Sequence, residues 1–301
     1  MSVLISKNTV YMLQGLTGKE GLRAAEWMQS AGAHIAAGVT PGKGGQRVLG
    51  IPVYNSVSDA LQAHPEITVT CLYVPPTVVA TAAFEAIAAG LKVLHIFAEL
   101  VPTRDTVAIF ERAQKHSVRV IGPSSVGIAT PDSVLGSIGG GENSFLFASG
   151  DQQGVAIISK SGGMAKTMAD TCTYANIPLS FVAGIGGDRI VGTTFADLLP
   201  DLIADPQTGA IVLIGEIGGT YEEDFAAALQ KSRSTKPVLA YVSGLFAETL
   251  PQGVAFGHAG AIVDAKTGTR ASKIAALTQA GVVVVDGPQD IVKQLPSIVQ
   301  L

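Results

Sequence analysis

Short apolar runs alternate with helix-spaced stretches in two successive series along this chain, and that alternation fixes the class of fold it can adopt. In the first series the runs occupy residues 10–14, 34–39, 67–74, 93–98 and 118–121, with helical patterns at 22–31, 57–63, 78–89 and 104–116. In the second they occupy 155–158, 179–183, 210–214, 238–242 and 282–285, with helical patterns at 164–174, 194–204, 222–232 and 269–280. A short apolar run followed by a period near 3.6 is a strand feeding a crossover helix, and right-handed crossovers lay such strands parallel in an open α/β sheet. Strands covered by helices on both faces need no polar alternation. That accounts for 47% hydrophobic and only 15% charged residues at a mean hydropathy of +0.38, a balance to which a large subunit interface would also contribute. The predicted organisation is a Rossmann-like domain over 1–125, a glycine-rich connection with some extended structure over 126–153, and a flavodoxin-like domain over 154–301.

The same residues exclude several functions. Even the alanine-rich stretch 78–94 is interrupted by Glu85 and Lys92, so no membrane span is expected, and residues 1–9 lack the apolar core of a secretion signal. Cys71 and Cys172 stand alone, which suggests neither a disulfide framework nor a thiolate metal site and fits a reduced, cytoplasmic setting. A net charge of -4 without a Lys/Arg cluster argues against nucleic acid as a partner. No metal is expected on this chain.

Ligands of open α/β sheets bind beyond the carboxyl ends of the strands. The first such loop, Gly15-Leu16-Thr17-Gly18-Lys19-Glu20-Gly21, has GxxGxxG rather than GxGxxG spacing. It misses the dinucleotide fingerprint, and no clear acidic residue follows about 20 positions on to hold a ribose, so a nicotinamide-dependent dehydrogenase is not expected. Backbone N–H groups at a helix start can still face an anion. The run from Gly38 to Gly44 is not a P-loop, because three residues separate Gly38 from Gly42 and Gly44 stands where Ser or Thr would reach magnesium. Lys43 on that loop is a candidate phosphate clamp or a solvated lysine.

In the second half, His258 lies between glycines in Phe256-Gly257-His258-Ala259-Gly260. An imidazole can attack a phosphoryl group and hold it on nitrogen, and small neighbours allow bulky anions to approach, which makes His258 the candidate nucleophile. Such an imidazole needs an acceptor that fixes its tautomer. Glu216, leaving a strand end in Gly215-Glu216-Ile217-Gly218-Gly219, is the first candidate and Asp188 the alternative; either also reads as a turn former or helix cap. Ser161-Gly162-Gly163 precedes a helix, where free N–H groups and the helix dipole can hold phosphate.

Taken together, Gly38-Val39-Thr40-Pro41-Gly42-Lys43-Gly44-Gly45, Gly184-Ile185-Gly186-Gly187-Asp188, the Gly215 to Gly219 turn and Gly257-His258-Ala259-Gly260-Ala261 resemble the alpha subunit of succinyl-CoA synthetase and related ADP-forming acid–CoA ligases, including the CoA-ligase portion of ATP-citrate lyase. The likeness runs over nearly the whole chain. It implies coenzyme A on the first domain, touched by Thr17, Gly18, Lys19, Glu20, Lys43, Phe97, Ala98 and Glu99. It further implies a phosphohistidine at His258 supported by Glu216, with Ser161, Gly162 and Gly163 facing its phosphate. ATP or GTP with magnesium would then sit on a separate ATP-grasp beta subunit, in a heterodimer or heterotetramer.

Departures bear on the acid. Ser124-Ser125-Val126-Gly127 stands where succinate-specific relatives carry Asn-Cys-Pro-Gly, and Gly163-Met164-Ala165-Lys166 where they carry Thr-Leu-Thr-Tyr. Ser125 and Lys166 are therefore the expected substrate contacts, and the charge of Lys166 favours an acid with an additional anionic group. The expected substrate is a small di- or polyanionic carboxylic acid, with succinate as default and citrate or malate as alternatives. A non-catalytic CoA-binding regulator is the competing reading.

Overall fold

The computed structural model describes residues 4–138, 145–245 and 268–298. Its first sheet holds β1 (Val10–Gln14), β2 (His34–Val39), β3 (Arg47–Val48), β4 (Ile51–Tyr54), β5 (Val69–Leu72), β6 (Val93–Ile96) and β7 (Arg119–Ile121) in the order β3-β4-β2-β1-β5-β6-β7, and all but β3 run parallel. Helices α1 (Lys19–Ser30), α2 (Val57–Ala63), α3 (Val79–Ala88) and α4 (Thr103–Lys115) make the crossovers. The antiparallel β3–β4 pair, absent from the sequence reading, turns through Leu49 and Gly50, both at positive φ. That is the backbone of a two-residue hairpin, without the Asn-Gly or Asp-Gly that usually announces it.

The second sheet holds β8 (Gly127–Ala129), β9 (Val134–Gly136), β10 (Gly154–Ser159), β11 (Leu179–Gly184), β12 (Thr208–Gly215), β13 (Val238–Val242) and β14 (Val283–Val285), in the order β14-β13-β12-β10-β11-β8-β9. Helices α5 (Gly162–Tyr174), α6 (Phe195–Ala204), α7 (Tyr221–Ser232), α8 (Arg270–Gln279) and α9 (Pro288–Ile298) flank it. Five of its strands are parallel, but β8 runs antiparallel to β11 and β9 antiparallel to β8, so the expected all-parallel second sheet becomes a mixed one. Those two strands come from the segment read as a connection. Their backbones pack so closely that a Cβ on Gly127 would overlap the Leu135 carbonyl oxygen. Glycine is required there, and its presence hid the strand pattern.

The halves share one buried cluster running from Leu13, Cys71 and Ile121 through Ile128 and Leu135 to Phe181 and Leu213. Polar ties reinforce it: Tyr11 Oη and Ser133 Oγ are 2.7 Å apart, Trp27 Nε1 donates to Ile138 O at 2.9 Å, and Thr193 Oγ1 donates to Val120 O at 2.7 Å. An interface built like a domain core resists relative motion of its two sides.

At the join, His95 is fully buried with Nε2 2.9 Å from Ser125 O. Burial pulls its imidazole down from 6.5 to about 4. The unfolded chain therefore binds a proton that the folded one refuses. This contribution to stability is complete above pH 6.5 and is lost as pH falls toward 4. Stability measured by urea unfolding is expected to drop by about 2 kcal/mol between pH 6.5 and about 5, and a His95→Gln variant should lack that increment. Equal slopes for the two proteins would contradict it.

Candidate active site

Parallel strands place their following loops side by side. Gln14 pairs with both Val39 and Leu72, and Leu72 with Ile96, so the loops beginning at Gly15, Thr40, Tyr73 and Phe97 leave one rim. The chain continues to opposite sides of β1, which makes it the switch point where crevices form. In the second sheet Ser159 pairs with Gly184 and Ile214, so Lys160, Ile185 and the Gly215 turn also leave together, with β10 at the switch. The two rims meet. Ser125 Oγ donates to Gly184 O at 2.6 Å, Leu100 N donates to Asp188 Oδ1 at 3.1 Å, and a Cβ on Gly186 would overlap the Pro123 carbonyl oxygen.

A cleft of about 440 Å³ lies along this meeting line, walled by Glu20, Arg23, Ala24 and Trp27 on α1, Phe97 after β6, and Gly162, Gly163 and Lys166 on α5. It unites residues expected on sequence grounds in three roles: Glu20 and Phe97 for coenzyme A, Gly162 and Gly163 for phosphate, and Lys166 for the acid. Helix α1 begins at Lys19, three residues before the expected position, with Gly18 as its N-cap and no side chain capping it. Gly21 explains the early start, since a Cβ there would overlap the Gly15 carbonyl oxygen. Thr17 Oγ1 donates to Thr40 Oγ1 at 3.3 Å and ties the first two loops. The Lys43 loop is shaped by Asn55 Oδ1, which accepts from Gly42 N and Gly44 N, both at 2.9 Å. Lys43 itself is exposed on the rim and does not wall the cleft, nor do buried Ala98 and exposed Glu99.

At the start of α5, Ser161 is the N-cap and its Oγ accepts from Met164 N at 3.3 Å. First-turn N–H groups such as those of Gly162 and Gly163 have no acceptor within the helix. Gly162 must lack a side chain because Val126 packs against it, whereas a Cβ on Gly163 would meet only Ser161 Oγ at 3.9 Å. Lys166 Nζ lies 2.6 Å from Asp170 Oδ2 one turn along.

Two of the candidate residues fasten the rims to each other. Ser125, expected at the acid, is 1% exposed, and its hydroxyl is engaged by Gly184 O and by Gly127 N at 2.9 Å. It clamps the two rims, joining the loop after β7 to the end of β11. Asp188, the alternative brace for the histidine, accepts from Leu100 N; burial raises its carboxyl, against the lowering by the Leu100 and Val101 N–H groups. It too joins the rims.

Glu216 sits at the end of β12, 8% exposed, with Lys160 Nζ 3.2 Å from its Oε1. Its N–H donates to Glu222 Oε1 at 3.0 Å, and Glu222 is paired with Lys273, both fully buried. Burial raises the Glu222 carboxyl, against the opposing pull of the Lys273 ammonium. His258 lies outside the described residues. Sequence reasoning missed Lys160, a charge directly behind an apolar strand, and Arg23 and Trp27, which follow Glu20 at helical spacing on one face of α1. Among the described residues no group of His, Cys, Asp and Glu is arranged to hold a metal, and no helix is long and apolar enough to cross a membrane.

Residues 6–100 match the family described as a CoA binding domain, and residues 152–296 the succinyl-CoA ligase like flavodoxin domain. An ADP-forming sulfoacetate-CoA ligase subunit of Acholeplasma sp is 36% identical over 99% of this chain and 98% of its own length. The ADP-forming succinate–CoA ligase subunit alpha of Methanothermobacter thermautotrophicus is 40% identical over 97% of this chain and 96% of its own. Among solved structures, the ATP citrate lyase of Methanosaeta concilii in complex with (3S)-citryl-CoA superposes with a TM-score of 0.86 at 25% identity over 98% of this chain, which spans 50% of that longer one. A CoA-binding domain followed by a succinyl-CoA ligase-like domain, matched in full length by such relatives, places this chain in the family of ADP-forming acid–CoA ligase subunits.

Proposed function

We propose that this chain is the alpha subunit of an acid–CoA ligase that forms an acyl-CoA from a small di- or polyanionic acid, coenzyme A and ATP by way of a phosphohistidine at His258. The observation that carries the reading is the single cleft walled by the starts of α1 and α5, where a thiol substrate and a phosphorylated intermediate can meet. Coenzyme A would lie along the first rim, its phosphates near the uncapped start of α1 and Lys43, its thiol end toward Phe97 and the cleft, with Thr17, Gly18, Lys19, Glu20, Ala98 and Glu99 around it. Ser161, Gly162 and Gly163 would hold the phosphoryl group at the start of α5.

Described residues before and after the stretch that contains His258 are hydrogen-bonded to the Glu216 turn. Ser243 N donates to Gly215 O at 2.9 Å, and Gly218 N donates to Gly268 O at 2.8 Å. His258 lies ten positions before Gly268, enough chain to span up to about 35 Å, so chain length allows His258 to reach Glu216. The imidazole takes the γ-phosphoryl group and ADP leaves; a carboxylate oxygen of the acid takes it in turn, freeing the imidazole. The thiolate then adds to the acyl carbon and inorganic phosphate departs. The nucleotide and its magnesium would be supplied by a beta subunit, as the name "subunit alpha" of the relatives suggests.

The test is to purify the chain with its partner, add MgATP carrying γ-label, and follow acid-labile phosphate on this chain together with acid- and CoA-dependent ADP release. A folded complex that binds coenzyme A but takes up no label would favour the non-catalytic regulator instead. Arg23 and Lys166 on the cleft favour an acid with a second anionic group, sulfonate or carboxylate. Lys166→Met is expected to raise the KM for such an acid roughly 10-fold or more, a loss of about 1.4 kcal/mol or more of charge-assisted binding, with the KM for coenzyme A unchanged. Equal KM values for the acid would remove Lys166 from the acid site.

A further inference from the structure

We propose that Ser137 is a further coenzyme A-binding residue: its hydroxyl, backed by the buried Tyr73 hydroxyl, donates to the sulfur of the thiol end in the cleft. This rests on the placing of that thiol end beside Phe97 above. Ser137 follows β9 and walls the cleft together with Phe97 and Val126. Its N–H donates to Val126 O at 2.8 Å, which fixes the backbone and leaves the side chain to the cleft. The charged groups on the same walls already have partners, Arg23 at 3.8 Å from Glu20 and Lys166 at 2.6 Å from Asp170.

Behind Ser137 stands Tyr73, the first residue beyond β5 and 8% exposed, its ring centre 5.0 Å from that of Phe97. Its hydroxyl is buried, and no hydrogen bond satisfies it among the described residues. Burial drives the phenol well above its ordinary pKa; the Ser137 hydroxyl is near enough to pull the other way but completes no hydrogen bond with it. Tyr73 is therefore a permanent O–H donor with Ser137 before it. A buried hydroxyl without a partner is destabilising, and phenylalanine would fill the same space without that cost. The hydroxyl is accounted for when a ligand completes the chain. Ser137 then turns its hydrogen to the sulfur and a lone pair to Tyr73, and each bond polarises the other. A donor at the sulfur favours the thiolate, which is the nucleophile, over the thiol.

The experiment compares, by calorimetry on the complex with its partner, affinity for coenzyme A and for desulfo-coenzyme A, in which hydrogen replaces the thiol. At about pH 9, where a thiol is largely ionised, the parent is expected to prefer coenzyme A by about 10-fold, as one hydrogen bond to a charged group provides. Ser137→Ala should bind the two compounds alike, and Ser137→Thr, which keeps the hydroxyl, should retain the preference. Tyr73→Phe should lose part of the preference, roughly 3-fold, while unfolding at a urea concentration no lower than the parent. In the double variant the loss should equal that of Ser137→Ala alone, because Tyr73 acts through Ser137. A parent that does not discriminate, a preference intact in Ser137→Ala, or a larger loss in the double variant would each overturn the proposal. So would a Tyr73→Phe protein less stable than the parent, since its hydroxyl would then be satisfied within the fold. A parent complex that binds neither compound would instead overturn the placing of coenzyme A, and the ligase reading with it.

Discussion

His258→Ala is expected to abolish transfer of label from MgATP to this chain, a loss on the order of 10⁴-fold or more, as for removal of other nucleophiles. The expectation rests on chemistry that alanine cannot replace and on the positions of the other histidines. The chain has five, and the remaining four, His34, His64, His95 and His116, all belong to the first half. His95 is buried with its Nε2 at the Ser125 carbonyl, and its depressed pKa reflects that burial. None can stand in beside Glu216. His116→Ala, at the exposed end of α4, serves as the control and should label normally. Coenzyme A affinity should be the same in all three proteins, because its expected contacts lie on the first rim. Phosphate retained on His258→Ala would move the nucleophile elsewhere.

Lys273→Met is expected to cost roughly 3–5 kcal/mol of stability, the usual penalty for stranding one member of a buried ion pair. Lys273 is fully buried against Glu222, with Glu223 Oε2 3.3 Å away on the other side, and Glu222 also accepts the Glu216 N–H. Without the ammonium, Glu222 is either an uncompensated charge or a protonated acid in a site shaped for a carboxylate. Adding Glu222→Gln should restore much of the loss, since an amide oxygen can still accept from Glu216 N and carries no charge. Chemical unfolding of the three proteins checks both statements. A single variant within about 1 kcal/mol of the parent would show that this buried pair contributes no more than an exposed one does.

The sequence was informative wherever apolar runs were long and their helices capped. Strands β1, β2 and β13 match their expected limits residue for residue, as does α2, whose Ser56 cap accepts from Asp59 N. Elements built on glycine were opaque. Strands β8 and β9 meet through Gly127 and Gly136, both at positive φ, where composition reads as loop. Of the site, the loops were found because strand ends and glycine turns announce them. Glu20, Phe97, Gly162, Gly163 and Lys166 then proved to be neighbours. The fastening made by Ser125 and Asp188 was not legible, because a polar side chain at a strand end looks the same in sequence whether it faces a ligand or ties two rims together. Lys160 went unnoticed because its significance lies in a partner more than fifty residues away.

The weld between the halves has a consequence for how such proteins diversify. Gly127, Gly162, Gly186 and Ser125 fasten the rims through contacts that tolerate no added atoms or lost hydroxyl, so drift there unseats both sheets at once. Arg23 and Lys166 instead ride on helices whose other faces are anchored by Ala25, Met28 and Met168. Substitutions can therefore rewrite that part of the lining while the frame stays put.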